Sequence, residues 1–203
     1  QNARVRAVGE DAGGFYPISE KDLFDIEYWS LEQAKLGKGQ APNFQGKVVL
    51  ITGGSGTIGF ETAKTFALQG AQCFLIDVSE KSLRTALEKL GEGHFGKVLD
   101  ITNQEAAKEA IQSVVEAFGG VDILISNAGS AKPGSIADLD IKVVRDSFEV
   151  NFFAHYEFAK AFAKVLKLQG RGGQILFNIS KQAVNPGKNF GAYGLPKATT
   201  MFL

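Results

Sequence analysis

Three side chains near the end of the chain have types and spacing suited to moving a proton. Tyr193 and Lys197 stand four residues apart, and Ser180 precedes the tyrosine by 13. A free tyrosine, with a pKa of about 10, is a poor base at neutral pH. A lysine four residues further on shares its helix face, and the positive charge favours the phenolate. Tyr193 is thereby a candidate general acid/base. Taken alone, the same residues also read as an ordinary helix pair with Ser180 as a turn residue.

A second constellation lies upstream. Thr52-Gly53-Gly54-Ser55-Gly56-Thr57-Ile58-Gly59 follows an apolar run and leads straight into a helical pattern. Glycines there let the backbone turn tightly and come close to a pyrophosphate, and the unpaired N–H groups of a helix start carry partial positive charge toward that anion. Gly53, Ser55, Gly56, Thr57, Ile58 and Gly59 are the candidate phosphate-side residues of a dinucleotide site. Asp77 stands 18 residues past Gly59, at the end of the next apolar run. A carboxylate there can accept from both adenosine ribose hydroxyls and repels a 2′-phosphate, which favours NAD over NADP. Val78-Ser79-Glu80 adds no basic residue that would reverse this. The alternative role for Asp77 is a strand-ending cap for Ser79.

The elements that must position these groups alternate along the chain. Strands are expected at Val48–Thr52, Gln72–Asp77, Lys97–Asp100, Asp122–Ser126 and Gln174–Ile179. Helices are expected at Thr57–Leu68, Ser79–Leu90, Asn103–Phe118 and Ile141–Leu168, with a last one beginning near Phe190. Continuous apolar strands separated by helices imply an α/β fold, a doubly wound parallel sheet (Rossmann fold) covered on both faces. Such sheets bind ligands at the carboxyl ends of their strands, where the unusual residues lie. Pro196 falls inside the last helix and removes one N–H from it.

Residues 1–46 read differently, as a helical extension and linker before a 47–203 domain. Ser19-Glu20-Lys21-Asp22 resembles a helix-capping sequence, a helix is expected through Lys35, and Gly37–Gln45 reads as a linker. Lysine plus arginine equals aspartate plus glutamate, at 22 each, so no basic surface points to nucleic acid and no charge excess to an anionic membrane. Apolar runs are strand-sized, the start lacks a signal-peptide core, and a lone cysteine, Cys73, fits a reducing cytoplasm and a buried small residue. His94 and His155 are too few and too far apart to suggest a metal site.

The glycine turn resembles that of the short-chain dehydrogenase/reductase family, which reads Thr-Gly, three variable residues, Gly, one variable residue, Gly. Gly53 and Gly59 match its first and last glycines, while Thr57 occupies the middle place with Gly56 one position early. Asp100-Ile101 is similar to the family's adenine-contacting pair. Ser126-Asn127-Ala128-Gly129 resembles its Asn-Asn-Ala-Gly motif with serine in the first place, and implies that Asn127, Ala128 and Gly129 stabilise the sheet and line the nicotinamide-ribose side. Val150-Asn151 resembles the family's helix asparagine, whose local helix distortion holds a water in a proton relay. Ser180, Tyr193 and Lys197 match the family's catalytic spacing. The resemblance implies that Ser180 orients the substrate oxygen, Tyr193 is the acid/base, Lys197 also holds the nicotinamide ribose hydroxyls and Asn151 links Lys197 to solvent. It spans Lys47 to Leu203, nearly four-fifths of the chain.

Phe15–Ser19 with Glu27–Leu36, and Ser180–Gly187, resemble a subgroup in which a class II (rhamnulose-1-phosphate-type) aldolase domain precedes the dehydrogenase. That resemblance implies a small hydroxyaldehyde such as lactaldehyde, or a polyol of sugar catabolism, as substrate. It also implies an upstream aldolase domain in the parent chain, and a homo-oligomer is expected. Lys181, beside Ser180, is read as a solvated side chain or as a contact for an anionic substrate group. The chain ends six residues after Lys197, so a fragment without the family's substrate-closing elements is expected. The competing functions are a ketoacyl-type reductase and a non-catalytic dinucleotide-binding module.

Overall fold

The computed structural model describes residues 41–203 together with Ser19, Lys21 and Asp22. The chain divides into two units, Gln1–Ala41 and Pro42–Leu203. In the first, the Asp22 amide donates to Ser19 Oγ at 3.1 Å, the capping contact expected from the sequence. The helix expected beyond it lies outside the described residues. Residues 42–46 lead into β1 as a turn within the second unit. The Phe44 N–H donates to the Gln69 carbonyl, and the Phe44 ring meets Phe66 edge-on at 4.7 Å.

The second unit is built on five parallel strands, β1 (Val48–Thr52), β2 (Gln72–Asp77), β3 (Phe95–Val98), β4 (Ile123–Ser126) and β5 (Gln174–Phe177). Their order is β3-β2-β1-β4-β5. The connections run outward from β1 on one side and then return to β4 on its other side, which opens a crevice at the carboxyl ends of β1 and β4. Strand period 2 divides the core. Val48, Leu50, Phe74, Ile76 and Leu124 face one way, and Val49, Ile51, Cys73, Leu75 and Ile125 the other.

Helix α1 (Thr57–Leu68) and helix α2 (Glu80–Leu90) cover the second face, through Ala63, Leu83 and Ala86. Helix α3 (Ala106–Phe118) and helix α5 (Ala154–Gln169) cover the first, where Phe158 and Phe162 repeat at helical spacing and are fully buried. Each such ring stabilises the fold by roughly 1.5–3 kcal/mol relative to exposure. The long helix expected at Ile141–Leu168 is instead α4 (Ile141–Phe148), a π turn at Glu149–Phe153 and α5. Helix α6 (Gly191–Thr200) carries Pro196 in its interior.

Strand β3 begins two residues earlier than expected. Gly96 fits against the Leu75 carbonyl, where a Cβ would come within 2.8 Å, and Phe95 packs on Phe118 at 5.3 Å. Leu99 and Asp100 leave the ladder after the Leu99 N–H reaches the Asp77 carbonyl. No helix among the described residues is long and apolar enough to cross a membrane.

Candidate active site

At the end of β1 the chain turns through Gly53, whose φ of +63° suits glycine. A Cβ there would stand 2.9 Å from Ala128 Cα. A Cβ on Gly59 would overlap the Gly53 carbonyl oxygen and press on the Asn127 amide, so α1 can approach the turn this closely only with glycine at that position. Gly56 caps α1 in extended conformation with no side chain on the first-turn N–H groups. Thr57, where the family pattern has glycine, is exposed, so the substitution adds a side chain to the rim and leaves the turn closed by Gly56 N–H to Gly53 O.

Asp77 performs the cap and also faces the crevice. Its Oδ1 accepts from Ser79 N–H at 3.2 Å and its Oδ2 from Ser55 N–H at 3.0 Å, tying the glycine turn to the end of β2. A carboxylate offers about four acceptor positions, so half-buried Asp77 keeps acceptor capacity for hydroxyls. Asp100 Oδ1 accepts from the backbone and hydroxyl of Thr102 at 2.9 and 2.7 Å, which places Ile101 against the crevice.

Asn127 ties three strand ends together. Its amide donates to the carbonyls of Thr52 and Gly53 at 3.0 and 3.2 Å, and its Oδ1 accepts from Asn178 at 2.8 Å. Thr52 Oγ1 in turn accepts from the N–H groups of Asn127 and Ala128. Asn151, fully buried in the π turn, donates through Nδ2 to Ser130 O and Ser147 O and accepts at Oδ1 from Ser130 N–H. Its carbonyl accepts from Thr200 Oγ1 of α6 at 2.7 Å.

Helix α6 presents Tyr193 and Lys197. Gly194 lets the helix press on the Lys181–Ala183 turn, where a Cβ would come within 2.8 Å of the Gln182 carbonyl, and this fixes Ser180 against the helix that carries Tyr193. Lys197 is 2% exposed, its Nζ donating to Asn178 O at 2.9 Å. Burial lowers its pKa from 10.5 to about 8. The same Nζ lies 3.4 Å from Nε2 of His155, whose Nδ1 lies 2.6 Å from Ser126 Oγ. Burial chiefly, then the Lys197 charge, lowers His155 to about 4, against a backbone hydrogen bond at Ala128 that favours the charged form.

One cavity of about 820 Å³ gathers Gly53, Gly56–Gly59, Asp77, Asp100, Ile101, Asn127–Gly129, Ser180, Tyr193 and Lys197. Ser55 reaches it through its N–H to Asp77, and Asn151 from behind Gly129, whose missing side chain leaves room for Asn151 Oδ1 and Lys197 Nζ. Lys181 is exposed and outside the lining. The open helix start, the side-chain-free cradle at Gly53 and Gly59 and the acceptors of Asp77 fit a dinucleotide. Sequence reasoning missed His155, although it sits four residues after Asn151 and Ser126 replaces the motif's first asparagine. Those two departures together were the available signal.

Residues 47–203 match the short chain dehydrogenase family, and residues 1–36 match the second domain of class II aldolases. The uncharacterized oxidoreductase YuxG of Bacillus subtilis (strain 168) is 32% identical over 192 residues, 92% of this chain and 28% of that protein. The solved structure of NAD+-bound xylitol dehydrogenase is similar with a TM-score of 0.74 at 29% identity, over 78% of this chain and 62% of that one. A 3-ketoacyl-(acyl-carrier-protein) reductase from Brucella melitensis, complexed with NADH, has a TM-score of 0.74 at 26% identity, over 78% of this chain and 67% of that one. The chain spans about half the length of the other curated relatives it matches. With the family match covering the sheet, the glycine turn and the Tyr193–Lys197 helix, the chain belongs to the short-chain dehydrogenases.

Proposed function

We propose that this chain carries the dinucleotide-binding and acid–base residues of an NAD-linked dehydrogenase acting on a small alcohol or carbonyl compound. The observation that carries the reading is the placement of Tyr193, Lys197 and Ser180 in the same cavity as the glycine turn and Asp77. When bound, the nicotinamide would supply or accept the hydride. Ser180 holds the substrate oxygen in line, Tyr193 gives or takes its proton, and the Lys197 ammonium favours the phenolate and holds ribose hydroxyls. Asn151 shares the floor at Gly129 with Lys197 and is the proposed link toward solvent.

The ribose acceptors of Asp77 support NAD over NADP, and similarity to a xylitol dehydrogenase bound to NAD+ agrees with that choice. The aldolase match at residues 1–36 supports a parent chain with an aldolase-type domain, and hence a hydroxyaldehyde or polyol of sugar catabolism as substrate. We extend the proposal to a 1–46 extension before a 47–203 catalytic domain, in a cytoplasmic homo-oligomer. A ketoacyl-type reductase is the second reading, favoured by the similarity to the Brucella reductase. A binding-only module would need the glycine turn and Asp77, yet here a buried lysine is held beside the tyrosine that needs it.

The test is turnover of the full chain with NAD and with NADP against lactaldehyde, sugar alcohols and ketoacyl thioesters. Tyr193→Phe should lower kcat by about 10²–10⁴-fold. Equal turnover in Tyr193→Phe sinks the acid–base assignment. A clear preference for NADP sinks the reading of Asp77, and turnover of thioesters alone selects the second reading.

A further inference from the structure

Ser126, His155 and Lys197 are 2%, 1% and 2% exposed, and they come from β4, α5 and α6. An ammonium has only donors to offer, so His155 Nε2 must be the acceptor in its 3.4 Å contact with Lys197. The ring proton then sits on Nδ1 and is donated to Ser126 Oγ at 2.6 Å. Around the imidazole, the Phe177 ring of β5 stands edge-on at 6.1 Å, and the Ala128 backbone makes a hydrogen bond that on its own favours the charged ring but is outweighed by burial and the Lys197 charge. Lys197 is the charged group that faces the ring, and Asn178 O from β5 is the ammonium's other acceptor. Among the described residues no carboxylate forms an ion pair with Lys197 or His155.

We propose that His155 is a positioning residue of the site, a neutral Nδ1-protonated imidazole, locked by Ser126, whose Nε2 lone pair holds the ammonium of Lys197. The proposal rests on the role given to Lys197 above. Its physical logic is that lysine has a long, freely rotating stem, so a catalytic ammonium needs fixed acceptors. A carboxylate would fix it strongly but cancel its field. Two neutral acceptors, Asn178 O and His155 Nε2, orient the group and leave its full charge available to the Tyr193 phenolate. They also use two of its three N–H bonds, leaving the third for the cavity. The downward shift of the imidazole agrees: burial chiefly, and then the Lys197 charge, disfavours a second cation there.

The experiment uses the full chain and has two readouts. Ring ¹⁵N shifts of His155 report the tautomer, and a Lys197 side-chain NMR titration reports the ammonium. In wild type the Nδ1-protonated form should persist from pH 5.5 to 8. His155→Leu removes the acceptor and should lower the Lys197 midpoint by about one pH unit, while His155→Gln should restore most of it. The corresponding limb of kcat/KM should move with that midpoint. Ser126→Ala should mix the tautomers. An Nε2-protonated ring in wild type overturns the proposal, and so does a Lys197 midpoint that is the same in wild type and His155→Leu. If His155→Leu does not fold, the wild-type tautomer and the Gln variant decide. An inactive wild type with the expected titrations would refute the dehydrogenase reading while leaving this placement standing.

Discussion

With Asn178 O and His155 Nε2 as its partners, the Lys197 ammonium has exchanged nearly all its hydration for two neutral acceptors. The imidazole beside it pays in the same currency at lower pH. His155 titrates at about 4 in the folded chain against 6.5 when free, so the unfolded chain binds the extra proton between those values. Stability from this group is therefore present above pH 6.5 and lost as pH falls toward 4, by up to roughly 3 kcal/mol. Urea unfolding of wild type and His155→Gln at pH 7 and pH 4.5 checks this. The variant should lose less stability on acidification, and parallel losses would show that His155 is not the group responsible. Ser180, Tyr193 and Lys197 were legible because each sits at a fixed spacing along the chain. His155 was not, because its partners lie 29 residues before it and 42 after it, and neither its spacing from Asn151 nor the serine at position 126 alone names a lysine as its neighbour.

Among the elements, the strand ends are held by side chains as much as by ladder bonds. Asn127 satisfies two carbonyls of the glycine turn and receives the Asn178 amide, so β1, β4 and β5 end at one side chain. Asn127→Ala leaves those groups without their partner and should cost about 1–3 kcal/mol, with weaker dinucleotide binding as the turn loosens. Urea midpoints and cofactor fluorescence titration would measure both, and unchanged values would remove Asn127 from its structural role. Most elements were readable from apolar runs and helix caps: Ser79 opens α2 and Gly119 closes α3 as their types suggest. The start of β3 was hidden because Phe95 and Gly96 are chosen by neighbours, Phe118 and Leu75, rather than by alternation. The π turn was implied only by the resemblance at Asn151; the apolar pattern of Ile141–Leu168 runs on without a break signal.

On the scale of the whole unit, two apolar layers enclose the sheet, and Cys73 sits inside one of them with no exposed surface. Burial pushes its thiol up to about 12, and the S–H meets the Ala63 carbonyl at 3.4 Å. A thiolate-selective reagent at pH 8 should leave the native chain unlabelled and react at a rate that tracks unfolding in urea. Rapid labelling without denaturant would mean that α1 opens independently of the sheet. The parallel, two-faced architecture was legible because strands buried on both sides must be apolar throughout.

The π turn between α4 and α5 adds one residue to what would otherwise be a continuous helix. A residue is worth about 100° of helical rotation, so that insertion acts as a phase shifter. It lets Asn151, anchored on Ser147, address the Ser130 loop while His155 turns to Lys197 and Phe158 and Phe162 turn to the sheet. Removing a single residue from Glu149–Phe153 would regularise the helix and swing every later side chain off its target together. Length in this segment is thus specified along with Asn151, and substitutions at its exposed Phe153 should be tolerated better than any deletion.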